Sequence, residues 1–298
     1  MPLPADKQVV ETSHALVDTL RGLAGPDPKF RPAHAKGLLL KGTFAPTEAA
    51  SSLSKAPHFN NPSTPVLARF SSSTGIPDIA DTNPNGNPRG LAIRFLLAET
   101  PRRAHTDIIT HSVDGFPGTT GEEALAFFEA LKNGTIQDYL ASHTKALAFV
   151  RAPKPTPASF ATEKYFGFNA FKLVSSAGRE TFIRYRVVPA AGEAHLDEAA
   201  LAGRGADFLY DEIAERLSAA AVEFRLTAQV AREGDVADDC TAKWPEDRDV
   251  AELGTVRLEG VADDQEARQR QIIFDPIPRV EASRRRTIRC CRSAPACT

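Results

Sequence analysis

The sequence predicts an α+β protein whose centre is an antiparallel β-barrel of eight strands, with α-helices packed around the outside. Three observations carry this. Eight stretches show strand character, most with apolar residues at every second position, the period that turns one face of a strand into a core. The helical stretches are too few to alternate one per strand, which excludes a doubly wound parallel sheet. A chain of 298 residues, 42% hydrophobic and 25% charged, is long enough to bury one large core.

In chain order, Lys7 to Leu23 places Val9, Val10, Leu16, Val17, Leu20 and Leu23 at helical spacing, and Gly25-Pro26 ends that helix. The period then changes to two. Leu38 and Leu40, then Val66, Ala68 and Phe70, then Leu91, Ile93, Phe95 and Leu97 mark the first three strands. Further strands are expected over 170–176, 182–188, 222–231, 251–261 and 268–274. Helices are expected over 120–133, where Thr120 caps the start and Glu122-Glu123 complement the dipole, near 136–144, and over 207–220. The proline clusters at 57–65, 77–88 and 153–157 read as loops inside one domain, which runs from residue 1 to 281.

Charge and cysteine usage divide the chain unevenly. The formal net charge of −2 gives no basic field for nucleic acid or an acidic membrane. Five of the 36 basic residues and none of the 38 acidic ones fall in the last seventeen residues, so the remainder carries −7. Cys290, Cys291 and Cys297 lie there too, and only Cys240 lies elsewhere. Neither an apolar leader nor a stretch of about 18 apolar residues occurs, so a cytoplasmic chain is expected.

Seven histidines are present, and no pair has the H-E-x-x-H spacing of a zinc helix. Neither a phosphate-binding G-x-x-x-x-G-K-[ST] nor a G-x-S-x-G nucleophile turn occurs. What stands out is Arg31-Pro32-Ala33-His34-Ala35-Lys36-Gly37, just before the first strand. Alone, such a histidine is ordinarily a hydrogen-bonded structural residue. It is followed, however, by Val66-Leu67-Ala68-Arg69-Phe70-Ser71, by Ala80-Asp81-Thr82, and by Asn87-Pro88-Arg89-Gly90-Leu91-Ala92-Ile93-Arg94-Phe95.

In this order the blocks resemble the heme catalases, whose pattern runs R-x-x-H-A-K-G, V-R-F-S, A-D-T and D-P-R-G-F-A-x-K-F. The resemblance continues through Asn169 to Val174, Arg184-Tyr185, Trp244-Pro245, Glu252-Leu253-Gly254 and Phe274-Asp275-Pro276. The short chain is similar to the small catalase-related peroxidase branch. The resemblance implies heme b as cofactor and an oxidoreductase that reduces organic hydroperoxides or hydrogen peroxide with a small electron donor. With the charge balance above, no nucleic-acid or membrane partner is expected, and a homodimer is one assembly open to the chain. It sets His34 on the distal histidine that moves a proton between the peroxide oxygens, and Ser71 on the serine that fixes that ring. Arg31 and Arg69 fall on the arginines that hold the heme propionates; surface ion pairing is the alternative for both.

Two departures from the family pattern bear on activity. Its distal asparagine, in D-L-V-G-N-N-x-P, is set against Ser112 in Asp107-Ile108-Ile109-Thr110-His111-Ser112, which implies weak or no dioxygen-forming activity. His111 reads as a surface histidine at a strand edge. The axial tyrosine of the family's R-x-x-x-Y, which would bind the iron, is expected near position 298, where Thr298 stands. Hydroperoxide rearrangement on the same scaffold, or a heme-deficient ligand-binding barrel, are the alternatives this leaves.

The tail offers an explanation. Read back by one nucleotide from Ala282, with codons chosen freely, 282–298 can encode G-I-E-A-S-D-D-P-L-L-Q-V-R-S-G-V-Y, similar to the family's acidic stretch and R-x-x-x-Y. A shifted reading frame is therefore expected for 282–298, in the gene or its sequencing. The alternative is a natural basic, cysteine-rich tail binding metal or nucleic acid, although adjacent Cys290-Cys291 lacks C-x-x-C spacing.

Overall fold

The computed structural model describes residues 5–25, 29–278, 280 and 283–285. Cys290, Cys291, Cys297 and Thr298, and most of the expected frame change, lie outside them.

Helix α1 (Lys7–Ala24) starts where the Asp6 carboxylate accepts from the Gln8 and Val9 N–H groups, and ends at Gly25, whose N–H bonds the Arg21 carbonyl at 2.8 Å. Strand β1 (Gly37–Pro46) follows, then α2 (Glu48–Leu53) and a meander of β2 (Thr64–Ser71), β3 (Gly90–Ala98) and β4 (Ala104–His111). Next come α3 (Gly121–Lys132), capped by the Thr120 hydroxyl, α4 (Ile136–Ser142) and α5 (Thr144–Arg151). Short β5 (Thr156–Pro157) and β6 (Tyr165–Phe166) lead to β7 (Phe171–Val174), β8 (Glu180–Pro189) and β9 (His195–Leu196). The chain continues through α6 (Glu198–Leu201), α7 (Phe208–Ala219), β10 (Val222–Val230), β11 (Val250–Val261), α8 (Gln265–Gln271) and β12 (Ser283–Arg285).

Antiparallel pairing runs β1, β2, β3, β4, β6, β8, β10, β11 and back to β1, which closes an eight-stranded barrel. Strands β7 and β12 extend from β8 outside the ring, and β5 pairs with β9. The expected architecture is therefore present, with two changes of membership. Residues 268–274 form no strand: α8 takes 265–271, a run of Gln, Glu, Ala and Arg with good helix propensity, and only Ile272 and Phe274 keep the alternation. Residues 170–176 hold β7, outside the barrel, while β4 and β6 complete it. The polar character of β4 hides it in the sequence, because Thr106, Asp107, Thr110 and His111 are all buried.

The barrel is filled by its own side chains. Phe44, Phe59, Phe70, Phe95, Phe160, Tyr165 and Phe224 are fully buried, with Phe44 edge-on to Phe95 at 5.1 Å and Phe70 stacked on Phe160 at 4.8 Å. Leu209, Ile213 and Leu217 of α7 join this core. The interior is thus a packed core, and ligand chemistry belongs on the outer face of the strands.

Two buried polar clusters fix the segments around that face. The Lys36 Nζ donates to Asp81 Oδ1 at 2.9 Å and to the Ile79 carbonyl at 2.8 Å. Asp81 also accepts from the Leu209 N–H, and Arg89 spans the Asp81 carbonyl, Ser72 Oγ and Asn87 Oδ1. Stripping a partner from such a buried pair costs about 3–5 kcal/mol, so the loop at 79–89 is held firmly against the segment entering β1. The second cluster is the bidentate Arg94–Asp107 pair across β3 and β4, at 2.9 and 2.7 Å, which also accepts the Asp275 N–H and so ties Phe274-Asp275-Pro276 to the barrel wall.

Candidate active site

The strand register places the site. Gly37 of β1 faces Ser71 of β2, Ser71 faces Gly90 of β3, and Gly90 faces His111 of β4. Directly paired residues share a face, and here it is the outer one, since the alternate row Leu40, Ala68, Ile93 and Ile108 lies in the barrel core. Two glycines in the outer row leave a furrow. The His34 ring lies in it, with Nδ1 3.0 Å from Ser71 Oγ, and a β-carbon on Gly90 would sit 2.9 Å from that nitrogen and 2.5 Å from the serine oxygen. Glycine at position 90 is what admits the imidazole.

The backbone delivers His34 in an uncommon conformation. The chain at 34–36 zips onto 72–74, through His34 N–H to the Ser73 carbonyl at 3.3 Å and Ala35 N–H to the Thr74 carbonyl at 2.9 Å, and His34 sits at φ 55°. A non-glycine residue at positive φ costs of order 1–3 kcal/mol and is held only where the surroundings over-determine it. The Lys36–Asp81–Arg89 cluster and Arg69 supply that restraint. Arg69 donates to the His34 carbonyl at 2.9 Å, the Ala35 carbonyl at 3.1 Å and Gln269 Oε1 at 2.7 Å.

Arg31 and Arg69 converge on α8, where Arg31 donates to the Gln269 carbonyl at 2.9 Å. Among the described residues no carboxylate lies within ion-pair distance of Arg69. Its guanidinium leans over Gly37, where any β-carbon would overlap it. Burial, reinforced by the Arg31 charge, pulls the Arg69 pKa down to about 9, and burial with the Arg94 charge lowers that of Arg31. One row along from the furrow, Leu39, Ala92 and Ile109 share the Arg69 row and form an apolar patch with Ile272 and Phe274. Ala92 and Ile109 are only half-buried. The site therefore joins a histidine and serine, an apolar shelf, and two crowded cations.

His34, Ser71, Arg31 and Arg69 thus come together from two segments, 31–34 and 69–71. Ser112 does not join them. Its hydroxyl accepts the Arg89 N–H at 2.9 Å, and its own N–H bonds the Arg89 carbonyl at 2.8 Å, so it locks β4 to the residue before Gly90. Its neighbour His111 takes the place beside His34, because residues adjacent along a strand face opposite ways. His111 matches the first of the two asparagines in D-L-V-G-N-N-x-P, and it is that position which faces the furrow. Nor is His111 a surface residue: it is buried, 4.8 Å from the Phe168 ring, and its Nδ1 has no partner among the described residues. Gly37 and Gly90 stand in the motifs with no role that pattern alone assigns, and His111 and Gln269 join the site through strand register and through α8, which the motifs do not reveal.

Burial and the Arg69 and Arg31 charges bring the His34 pKa down to about 4, and burial, with His34 and Lys154, brings His111 to about 3. Both rings are neutral at neutral pH. His58, buried in the barrel between the Phe59 and Phe95 rings, is likewise held at about 3 by burial. Unfolded, each would titrate near 6.5, so the unfolded chain binds more protons between pH 6.5 and about 4, and stability falls as the pH drops through that window. Glu163 acts oppositely: burial raises it to about 7, so it takes up a proton in the folded state first. With Glu163 offsetting one ring, urea unfolding is expected to lose roughly 3–4 kcal/mol between pH 7 and 5. Equal stability at the two pH values would contradict neutral buried rings.

Comparison with known proteins gives a consistent picture. Residues 25–114 and 123–286 match the family model described as catalase. A catalase-related peroxidase of Mycolicibacterium paratuberculosis is 33% identical over 274 residues, covering 89% of this chain and 86% of that protein. Another, from Synechococcus elongatus, is 29% identical over 276 residues, covering 89% and 80%. Among solved structures, a fungal catalase superposes with a TM-score of 0.79 at 20% identity and catalase A of Saccharomyces cerevisiae with 0.78 at 18%, each over 89% of this chain. The chain spans 57% and 59% of the length of those two catalases.

Proposed function

The chain belongs to the catalase family, and from that premise we propose that it is a heme b-dependent peroxidase, cytoplasmic and homodimeric, which reduces hydrogen peroxide or organic hydroperoxides with a small electron donor. The observation that carries this is the furrow on the outer face of β1 to β4, where a neutral His34 is seated over Gly90 and held by Ser71, beside an apolar shelf ending at Arg31 and Arg69.

This donor set fits the cofactor. A flat apolar ring bearing two carboxylates needs an apolar surface and cations at one edge; the half-buried Ala92 and Ile109, backed by the fully buried Leu39, offer the first, and Arg31 and Arg69 the second. Heme bound there would supply the iron at which peroxide reacts. Around it the protein handles protons. With Nδ1–H donated to Ser71 Oγ, His34 keeps Nε2 bare, and that nitrogen can take the proton from one peroxide oxygen and return it to the other. Ser71 holds the ring at the required tilt and tautomer. The four tyrosines are elsewhere: Tyr165 and Tyr185 lie in the barrel core, Tyr210 packs against it, and Tyr139 bonds the Glu123 carbonyl. The resemblance to the family's R-x-x-x-Y implies a tyrosine near position 298 that would hold the iron, and the proposal includes a shifted reading frame over 282–298. Genomic sequence across Ala282 tests it: a single open frame that encodes no R-x-x-x-Y in the alternative register overturns it.

Peroxidase and catalase turnover separate in one comparison. On heme-loaded protein given hydrogen peroxide and an aromatic donor, donor oxidation is expected to outrun dioxygen release, since an imidazole occupies the place of the family's distal asparagine. Dioxygen release as fast as donor oxidation would reject the peroxidase assignment, and isomerised organic hydroperoxide as the main product would favour rearrangement.

A further inference from the structure

The furrow holds a second imidazole that the proton chemistry above does not use. His111 projects from β4 on the same outer row as Ser71 and Gly90, directly paired with the glycine over which the His34 ring is seated, and the nearby His34 disfavours its protonation. Its Nδ1 is fully buried without a hydrogen-bond partner among the described residues. A neutral imidazole has one N–H and one bare nitrogen. Buried N–H groups without an acceptor are rarer in folded proteins than under-used acceptors, so the bare nitrogen belongs at Nδ1 and the proton at Nε2. In the proton chemistry proposed above His34 carries the reverse arrangement, its Nδ1, 3.0 Å from Ser71 Oγ, bearing the proton and its Nε2 bare. The furrow then presents one acceptor and one donor side by side, the pair that a hydroperoxide requires: an O–H to be taken up, and an adjacent oxygen with lone pairs.

Resting on the peroxidase reading, we propose that His111 is a second substrate-contacting histidine, whose Nε2–H donates a hydrogen bond to one oxygen of the peroxide while His34 accepts the O–H of the other. The donor lies where negative charge gathers as the O–O bond weakens. A donor fixed at such a point is worth more in the transition state than in the ground state, so its removal lowers kcat more than it raises KM. The Phe116–Phe168 stack, at 5.2 Å, backs the His111 ring and keeps water from its buried edge.

Two measurements test this. Nitrogen-15 NMR of the imidazoles in the protein as isolated is expected to show His111 neutral and protonated at Nε2 at pH 7. A proton on Nδ1, or a charged ring, overturns the inference. In the heme-loaded protein, His111→Leu is expected to lower kcat/KM for hydrogen peroxide by about 100-fold, mostly in kcat, and His111→Asn, which retains an N–H donor, to recover most of it. If His111→Leu misfolds, His111→Ala serves as the donor-free variant, and a His111→Asn variant as impaired as it overturns the role. An unchanged His111→Leu alongside a crippled His34→Ala rejects the His111 role alone. Unchanged activity in both rejects the peroxidase reading beneath it.

Discussion

His34→Ala is expected to lower kcat/KM for hydrogen peroxide by roughly 10³-fold while leaving heme affinity within a few-fold of the parent. The magnitude follows from the role. Positioned general acid–base groups contribute about 10²–10⁴-fold, and His34 carries both halves of the proton transfer at one nitrogen. Heme affinity is spared because the residues that suit the ring and its carboxylates, Leu39, Ala92, Ile109, Arg31 and Arg69, are other ones. The pH profile is a second readout. The arginines and burial hold His34 at about 4, so the parent's activity stays flat on the acid side until the pH approaches that value. In the variant this limb disappears. Activity falling through pH 6.5 in the parent would mean that His34 titrates as an exposed ring and is not the group described. Ser71→Ala tests the positioning: the ring loses its 3.0 Å contact, and a loss of order tenfold in kcat with KM little changed is expected, against none if Ser71 only packs.

The parts of this site that are contiguous in the chain are legible in the sequence, and those assembled by strand register are not. Arg31 to Gly37 is one short run, and Arg69 and Ser71 lie two residues apart on one strand face, so pattern alone brings them to notice. The barrel is legible for the same local reason, since strands such as Val66 to Phe70 and Leu91 to Leu97 alternate cleanly. His111 is different. Whether it or Ser112 faces the furrow depends on which member of β4 pairs with Gly90, a choice set by long-range hydrogen bonding and reversed by a slip of one residue. The neighbourhood of β4 is polar on both faces: Thr110 donates to the Leu91 carbonyl toward the core, and Asp107 pairs with Arg94 on the outside. With no hydrophobic alternation to fix its phase, the strand and its histidine were hidden together. Over 268–274 the error runs the other way, as Ile272 and Phe274 alternate only because they leave α8 in an extended strap over the apolar shelf.

Restoring the alternative frame over 282–298 is expected to tighten heme binding more than 100-fold relative to the chain with Ala282 to Thr298 as given. The described residues supply a shelf, two guanidiniums and two imidazoles. Such contacts would recognise a porphyrin and its carboxylates without bonding the iron. A tyrosinate from the restored tail would add a direct metal–oxygen bond, and an arginine four residues before it would favour the charged phenolate. Since losing mere outer partners of metal ligands costs about 10–100-fold in metal affinity, loss of the ligand itself costs more. Hemin titration followed at the Soret band measures both proteins. The restored tail is expected to give a stoichiometric complex, and substitution of its tyrosine by phenylalanine to return the affinity to that of the chain as given. Equal affinity for the two tails would mean that the barrel face alone retains heme, and that the basic, cysteine-rich tail belongs to the native protein.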